Sequence, residues 1–403
     1  METKIKIAIY SGVIPSSVFI ENLIGSLSKQ DVEIYLFGRL SDKTVNYPNN
    51  VKKITYPERK FLTIGFVLMQ ILFMLFRHPI RLKKIYLHYR FISKKEKIYF
   101  LNWCKNVLPV INNLPDIFHL QWAKALPKWF FLKDLFNVKI ALSLRGAHIN
   151  YSPLANKELK NIYKNLFPYV DVFHSVSNAI GNEAIKYGAS DEKIKTIYSA
   201  IDLKKINIYR KKKWCSNSTF NFISVGRHHW KKGYPYALLA IKKLLEKNLD
   251  IHYTIVAKNE PSEEVLYHIN DLSIKDYVSL ISMESQKEVY QKMSESDCLL
   301  LPSVEEGISN VVLEAMAIGL PVISSNCGGM REIIADKSIG LIFKLRDTSN
   351  LVFVMKNIMN MSEREKRKMV TNAMSHIEKK HDYDSLGYKM FQLYRSINYR
   401  NKC

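Results

Sequence analysis

Two glutamates lie within one stretch of the chain that could bind a polar ligand. Residues 303–332 read SVEEGISNVVLEAMAIGLPVISSNCGGMRE and contain Glu306 and, eight positions later, Glu314. If that span were helical, a rise of 1.5 Å per residue would separate the two carboxylates by about 12 Å. This distance suits a sugar diphosphate nucleoside, which has hydroxyl groups at both ends. Glu314 has apolar neighbours, among which an unused carboxylate would be costly.

The turn after Glu306 leads from an apolar strand into a helix. The free backbone amides at a helix N-terminus can face an anion, and here they belong to Ile308, Ser309 and Asn310. We therefore expect the turn and the two carboxylates to form one binding site.

A basic turn, GRHHWKKG, follows another apolar strand and supplies Arg227 and Lys232. Two cations fixed at a strand end can stabilise the negative charge of a leaving diphosphate without a metal ion. Arginine offers a planar fork to phosphate oxygens, and lysine a compact charge. The spacing alone leaves open that this is a basic turn on a basic surface.

The first half of the chain offers a second group of candidates for substrate binding. Gly12, predicted in the turn after the first strand, would allow close approach of a phosphate or an acceptor. Arg145, Gly146 and His148 follow the strand KIALSL. Arg145 suits a phosphate or carboxylate of an acceptor. His148 could bind a sugar hydroxyl, polarise an acceptor or be structural.

Short apolar runs alternate with helical stretches through both halves of the chain, which predicts two doubly wound α/β domains. We expect an N-terminal domain over 1–203, a linker over 204–218 and a second domain over 219–382. The last stretch, 383–403, is expected to form a helix that could pack on the first domain. Ligands of such sheets bind at the carboxyl ends of the strands, so a cleft between two facing domains is the expected site.

Composition limits the classes of function. The 403 residues include 60 Lys and Arg and 37 Asp and Glu, a net charge of +23, which favours nucleic acid, anionic lipid or phosphorylated ligands. Five scattered cysteines predict neither a disulfide framework nor a zinc site. The chain has no Walker-type loop and no GxGxxG, which counts against an NTPase or a dehydrogenase. Asp382-Tyr-Asp384 is interpreted as capping and surface charge rather than as a metal site.

One apolar segment, Phe61–Phe76, precedes a basic one. Its sixteen residues are short for a transmembrane helix, which needs about 20. Residues 77–97 carry eight Lys and Arg and one Glu, with interleaved aromatic residues. A helix lying in a membrane interface would need this combination. A buried helix followed by a solvated basic one is the alternative.

The stretch 303–332 resembles the signature of retaining nucleotide-sugar glycosyltransferases of the GT-B fold, glycosyltransferase family 4. Four further segments resemble that family in the same order, and they are IPSSVFIENLIGSL with LSLRGAHIN, PYVDVFHSVSNAI with KIKTIYSAID, FISVGRHHWKKGYPYAL, and VSLISMESQKEVYQKMSESDCLLLPS. The resemblance implies two Rossmann-like doubly wound domains facing across a cleft. The chain departs from the family at Ser17, at His148 and at Ala257-Lys258-Asn259, where relatives have an acidic residue, Asp and a Gly-rich turn.

The resemblance also implies roles for the candidate residues. Arg227 and Lys232 would neutralise the leaving diphosphate, with Glu306 as the third catalytic residue. Glu306 and the amides of Ile308–Asn310 would hold the donor sugar, and Glu314 the ribose. The first domain would carry the acceptor. Retention of configuration follows from the family alone.

We expect a hexosyltransferase-type enzyme that uses a nucleotide sugar as co-substrate and no metal or other cofactor. The expected acceptor is a lipid-linked saccharide in capsule, exopolysaccharide or O-antigen assembly. The expected location is cytoplasmic, on the anionic inner face of the cell membrane, with no nucleic-acid partner. There are two alternatives. One is a GT-B enzyme that acts on a soluble acceptor, and the other is a non-catalytic basic protein that binds membrane or nucleic acid.

Overall fold

A computed structural model describes residues 4–42, 44–94, 99–210, 219–283 and 285–398. The chain divides into two compact units, each built on one parallel sheet. Unit 1 comprises the described residues of Met1–Ser175, Gly181–Ile197 and Asp384–Cys403, and unit 2 those of Val176–Ile180 and Tyr198–Tyr383.

Unit 1 contains a seven-stranded sheet in the order β3-β2-β1-β4-β5-β6-β7, with every neighbouring pair parallel. The central strands are apolar and buried, as expected of a parallel sheet covered on both faces. Its strands are β1 (Ile5–Ile14), β2 (Val32–Leu40), β3 (Val51–Thr55), β4 (Ile117–Leu120), β5 (Lys139–Leu144), β6 (Val172–Ser175) and β7 (Ile194–Thr196).

Unit 2 contains a six-stranded parallel sheet in the order β10-β9-β8-β11-β12-β13. Apolar side chains pack against it in two clusters, one including Phe222 and Tyr253 and the other Leu313 and Met316. Its strands are β8 (Phe220–Val225), β9 (Ile251–Ala257), β10 (Val278–Ser282), β11 (Cys298–Leu301), β12 (Val322–Ser325) and β13 (Leu341–Phe343).

Helices connect the strands in both units. Before Asn178 they are α1 (Val18–Leu27), α2 (Lys60–Arg77), α3 (Pro79–Ser93), α4 (Phe100–Asn112), α5 (Leu126–Trp129), α6 (Phe131–Phe136), α7 (Ala147–Asn150), α8 (Ser152–Ala155) and α9 (Lys157–Leu166). From Asn178 onward they are α10 (Asn178–Ile185), α11 (Leu203–Ile206), α12 (Tyr234–Leu245), α13 (Glu263–Asp271), α14 (Gln286–Glu295), α15 (Asn310–Ile318), α16 (Met330–Ile333), α17 (Thr348–Asn360), α18 (Glu363–Lys380) and α19 (Tyr383–Asn398).

The segment predicted as a linker is partly folded. Leu203–Ile206 forms α11, and Asn207–Tyr209 forms one turn of 3₁₀ helix that packs in the same core cluster as Leu313. Asp202 caps α11 by accepting a hydrogen bond from the Lys204 amide. The remaining residues of the predicted linker, 211–218, lie outside the described residues.

Helix α19 belongs to unit 1 from Asp384 onward. The Gly387 amide donates to Ser26 Oγ of α1 at 2.6 Å, and Asp384 forms an ion pair with Lys29. A Cβ at Gly387 would lie 2.3 Å from the Ser26 carbonyl oxygen, so only glycine allows this close packing. These contacts give Asp384 a role in surface charge.

Candidate functional site

Lys232 and Glu306 meet in unit 2 as a largely buried ion pair. Lys232 Nζ lies 2.6 Å from Glu306 Oε1, and the two side chains are 14% and 11% exposed. Ser303 Oγ also donates to Glu306 Oε1, at 3.1 Å. The fold therefore brings one predicted cation and one predicted carboxylate together, although they lie 74 residues apart in the sequence.

Two turns that contain glycine allow the side chains of Lys232 and Glu306 to come into contact. Gly233 has φ +65°, and a Cβ there would lie 2.1 Å from the Pro302 carbonyl oxygen, so the basic turn lies directly against the end of β11. Gly328 has φ +48°, and its Cβ would lie 1.7 Å from the Glu306 carbonyl oxygen. The following Gly329 amide donates to the Gly307 carbonyl oxygen at 3.0 Å. Glycine is thus required on both sides of the loop that carries Glu306.

Glu306 is held as a carboxylate. Burial alone would raise the pKa of its carboxyl, but the charges of Lys232 and Lys231 and the hydrogen bonds from Lys232 and Ser303 outweigh burial and hold that pKa below its ordinary value. Lys231 was assigned no role in the sequence. Its pKa is lowered, mainly by burial, and its backbone carbonyl accepts from the Val304 amide at 2.8 Å. In the sequence, a role for Lys231 beside Glu306 could have been indicated by its position next to Lys232.

Glu314 has a different environment, on α15. Its Oε1 accepts hydrogen bonds from Gln286 Nε2 and from the Tyr290 hydroxyl, both at 3.0 Å. Burial raises the pKa of the Glu314 carboxyl to about 7, although these two hydrogen bonds lower it. Gln286 and Tyr290 were not identified from the sequence. Their spacing of four residues places them on one face of α14, and this spacing could have indicated that they act together.

The N-terminus of α15 carries the other predicted donor-site residues. The helix begins at Asn310, with Ser309 as its N-cap, and the Ser309 side chain accepts no capping hydrogen bond. Asn310 Oδ1 is buried and has no hydrogen-bond partner among the described residues. An orphaned buried acceptor needs an explanation, and a ligand hydroxyl would supply the missing donor.

The expected separation of about 12 Å between the two glutamates rested on a helix over the whole span. The predicted turn from the strand into the helix is confirmed, because residues 306–309 form a non-helical loop and α15 begins at Asn310, so the condition for that separation is not met.

Arg227 is exposed at the end of β8. Burial lowers the pKa of His229, and the positive charges of Lys231, Arg227 and Lys232 lower it further. His229 is therefore a neutral side chain in a turn whose three cations lie close together. Nearby, Asn259 Oδ1 accepts from the His228 amide at 3.1 Å, which links the basic turn to the bend after β9.

Unit 1 contains the other predicted residues. Gly12 lies within β1 rather than in a turn after it, because φ of +86° at Gly12 absorbs a shift in register and the strand then continues opposite Gly38–Leu40. Arg145 follows β5, and Gly146, at φ +64°, starts the short helix that contains His148. The His148 ring lies 5.3 Å from the Trp122 ring.

A buried network of neutral groups runs from α19 to Arg145. His174 Nε2 donates to the Ile197 carbonyl oxygen at 3.0 Å, so Nδ1 of His174 must accept from Ser143 Oγ, at 2.9 Å. Ser143 then accepts from His119 Nε2 at 2.8 Å, and His119 Nδ1 accepts from the Tyr394 hydroxyl at 2.7 Å. Both ring nitrogens of His119 are therefore satisfied by buried partners within unit 1.

Helix α2 has an exposed apolar surface, so the alternative of a buried domain helix is wrong. Only 17% of its residues are buried, although its mean hydropathy is 1.7, and by length and composition alone it could cross a membrane. The exposed side chains include Phe61 (84%) and Phe76 (82%). A cavity of about 440 Å³ opens beside it, lined by apolar and aromatic side chains of α2, α3 and α4 that include Leu75, Tyr86 and Trp103.

Residues 206–376 match the family described as "Glycosyl transferases group 1". This stretch contains the basic turn, the Lys232–Glu306 pair and Glu314. Residues 206–376 are therefore a glycosyltransferase group 1 domain, which confirms the resemblance at that level. Assignment to family 4 within it stays a prediction.

Two bacterial relatives match more than half of the chain. It is 28% identical over 265 residues to "Amylovoran biosynthesis glycosyltransferase AmsK" of Erwinia amylovora, covering 62% of this chain and 64% of the relative. It is 27% identical over 255 residues to "Putative colanic acid biosynthesis glycosyltransferase WcaL" of Escherichia coli K12, covering 58% and 62%. The chain thus spans somewhat less than two thirds of these relatives.

Solved structures match over nearly the whole chain. Anabaena Alr3699/HepE in complex with UDP has a TM-score of 0.67 and 16% identity, covering 98% of this chain and 100% of that one. TarM has a TM-score of 0.71 and 11% identity, covering 98% and 99%. These likenesses show the fold, and they confirm the predicted GT-B class with two Rossmann-like units.

Proposed function

We propose that the protein is a retaining glycosyltransferase that moves a sugar from a nucleotide-sugar donor to a lipid-linked saccharide during polysaccharide assembly. The observation that carries this proposal is the Lys232–Glu306 pair beside the uncapped N-terminus of α15, inside the glycosyltransferase group 1 domain. The amylovoran and colanic acid relatives support a role in polysaccharide assembly.

In this proposal unit 2 binds the donor. The Glu306 carboxylate and the amides of Ile308–Asn310 hold the donor sugar, and the orphaned Asn310 Oδ1 accepts a hydrogen bond from one of its hydroxyls. Glu314, with its two donors on α14, accepts from the ribose hydroxyls. The structure of HepE with UDP-glucose supports a nucleotide sugar as the donor class.

The proposed reaction breaks the bond between the anomeric carbon and the diphosphate oxygen and forms a bond from that carbon to an acceptor oxygen. Lys232 and Arg227 stabilise the negative charge that develops on the departing diphosphate. A diphosphate oxygen takes the proton of the acceptor hydroxyl, so front-face transfer needs no protein nucleophile. No cluster of three or more His, Cys, Asp or Glu suited to a metal is found among the described residues, and we propose that the two cations act without one.

We propose a lipid-linked acceptor carried by unit 1 at an anionic membrane surface. A Campylobacter jejuni relative, 26% identical over 246 residues, is named as an N-acetylgalactosaminyltransferase that acts on a diphospho-undecaprenol-linked saccharide. The exposed apolar face of α2 and the basic residues of α3, among them Lys83 and Arg90, have the composition of an interfacial surface. The protein would then be peripheral on the cytoplasmic face.

A transfer assay tests the proposal. The protein is incubated with radiolabelled nucleotide sugars and a lipid extract from polysaccharide-producing bacteria, and label is measured in the organic phase. We expect donor-dependent transfer that Lys232→Met lowers at least 100-fold, because one electrostatic contact to the transition state contributes about that much. Lys242→Met, which removes a surface lysine on α12, is the matched control and should retain activity. Equal transfer by the Lys232 variant would contradict the proposed role of the pair.

A further inference from the structure

The guanidinium of Arg145 lies partly buried at the carboxyl end of β5. Its Nη2 donates to Gln121 Oε1 at 3.0 Å, and its central carbon lies 4.7 Å from the centre of the Phe19 ring. The Nε atom is buried and has no hydrogen-bond partner among the described residues. An arginine has five N–H donors, and among the described residues one side-chain acceptor, Gln121, is hydrogen-bonded to this one.

Arg145 also lacks a counter-charge, since no carboxylate of the described residues forms an ion pair with it. Its side-chain partner Gln121 donates in turn to His119 Nδ1 at 3.1 Å, which joins Arg145 to the buried neutral network. Burial lowers the pKa of Arg145 to about 10, and burial together with the nearby Arg145 charge lowers the pKa of His174 to about 3. Every neighbour in this network is therefore uncharged at neutral pH.

An uncompensated charge in a partly buried position is destabilising, and proteins normally pair it or satisfy it with hydrogen bonds. The unused fork of an arginine matches the oxygens of a phosphate or a carboxylate. One half-exposed aromatic side chain lies beside it, and a second contacts the first. Phe19 is in contact with the guanidinium, and Trp122 meets the Phe19 ring edge-on at 5.9 Å between centres.

We propose that Arg145 is the binding group of an oxyanion site in unit 1, which takes the phosphate or pyrophosphate of the acceptor while Phe19 and Trp122 contact its first sugar. This inference rests on the proposed function. A carboxylate of a uronic acid would offer the same oxyanion chemistry from another source, and the experiment separates the two.

The first measurement is the melting temperature of ligand-free Arg145→Gln. Removing an uncompensated cation should leave this temperature unchanged or raise it, because binding residues are often destabilising in the free protein. A merely structural arginine would give the opposite result. A melting temperature several degrees lower in Arg145→Gln, with full recovery in Arg145→Lys, would overturn the proposal.

The second measurement uses pyrophosphate and glucuronate as probes. Both are titrated into the Arg227→Gln, Lys232→Gln double variant, so that anion binding in unit 2 does not contribute. We expect pyrophosphate to bind, and Arg145→Gln in this background to weaken its binding about tenfold or more. Preferential binding of glucuronate would assign the site to a uronic acid and overturn the phosphate source.

Equal pyrophosphate binding with and without Arg145 would overturn the site itself. Donor binding by the Arg145 variant, measured separately with nucleotide sugars, reports on the proposed function. If Arg145→Gln weakens pyrophosphate binding while donor binding is retained, the result supports this inference independently of the proposed function.

Discussion

At the scale of single residues, the two glutamates of the donor site differ in protonation. Glu306 is paired with Lys232 and stays ionised, whereas no cation of the described residues forms an ion pair with Glu314, and burial raises the pKa of its carboxyl to about 7. Environments that push the pKa values of two carboxyls apart give them different roles. Glu306 is suited to act as a permanent anion, and Glu314 as a group that accepts ribose hydroxyls most strongly above neutral pH.

Glu314→Gln should stabilise the protein at alkaline pH. The Glu314 carboxyl has a pKa of about 7 in the folded state against 4.5 for the free group, so the folded state binds the proton more tightly and loses stability as pH rises from 4.5 through 7. The variant removes this loss. Urea unfolding at pH 8 should show a gain of up to about 3 kcal/mol, which shrinks steadily toward pH 5. A gain independent of pH would contradict the assigned ionisation.

Tyr394→Phe should destabilise unit 1. The Tyr394 hydroxyl is buried and donates to His119 Nδ1, so its loss removes a donor from a fully buried network. We expect a loss of about 1–3 kcal/mol in the free energy of unfolding, measured by chemical denaturation. Tyr388→Phe on the exposed face of the same helix is the control and should change little. Equal stability of the two variants would mean that the network does not hold α19.

At the scale of elements, the glycine turns position the donor site. Gly328→Ala would place a methyl group 1.7 Å from the Glu306 carbonyl oxygen, so the loop must move. We expect donor affinity to fall at least tenfold, measured by titration calorimetry. Gly65→Ala, whose methyl group would meet nothing within 4 Å on α2, is the matched control. Unchanged donor affinity in Gly328→Ala would show that this loop geometry is unnecessary.

Helix α2 is predicted to bind anionic membranes. Leu68 and Leu72 are 55% and 54% exposed, and the double change to Glu places two charges on the surface that would enter the lipid. Cosedimentation with vesicles containing phosphatidylglycerol should fall to background. Phe353→Glu, which charges an apolar side chain 61% exposed in unit 2, should leave binding unchanged. Persistent sedimentation of the α2 variant would contradict an interfacial role.

The sequence was a good guide to elements whose signal is local. The short apolar runs from which strands were predicted include β4 (Ile117–Leu120), β8 (Phe220–Val225) and β11 (Cys298–Leu301), each of which lies between polar residues. β3, β7 and β13 were missed. β3 has two exposed lysines at the edge of its sheet, and β7 and β13 have three residues each, so none of the three has a recognisable period.

At the scale of the whole molecule, two parallel sheets and the group 1 domain were predictable from the order of motifs. Partners of side chains were not, because they depend on contacts between segments far apart in the sequence. The pairing of Lys232 with Glu306, the hydrogen bonds from Gln286 and Tyr290 to Glu314, and the network from Tyr394 to Arg145 all join such segments. The exposure of α2 likewise depends on which of its faces other helices cover.

The most direct test of the central claim, that unit 2 binds an activated sugar through Lys232, Glu306 and Glu314, is a thermal-shift screen of nucleotide sugars and nucleoside diphosphates. A bound donor at 100 times its dissociation constant should stabilise the protein by about 2.7 kcal/mol, and Lys232→Gln and Glu306→Gln should each abolish most of that shift. A melting temperature that no nucleotide sugar or nucleoside diphosphate changes would contradict the account.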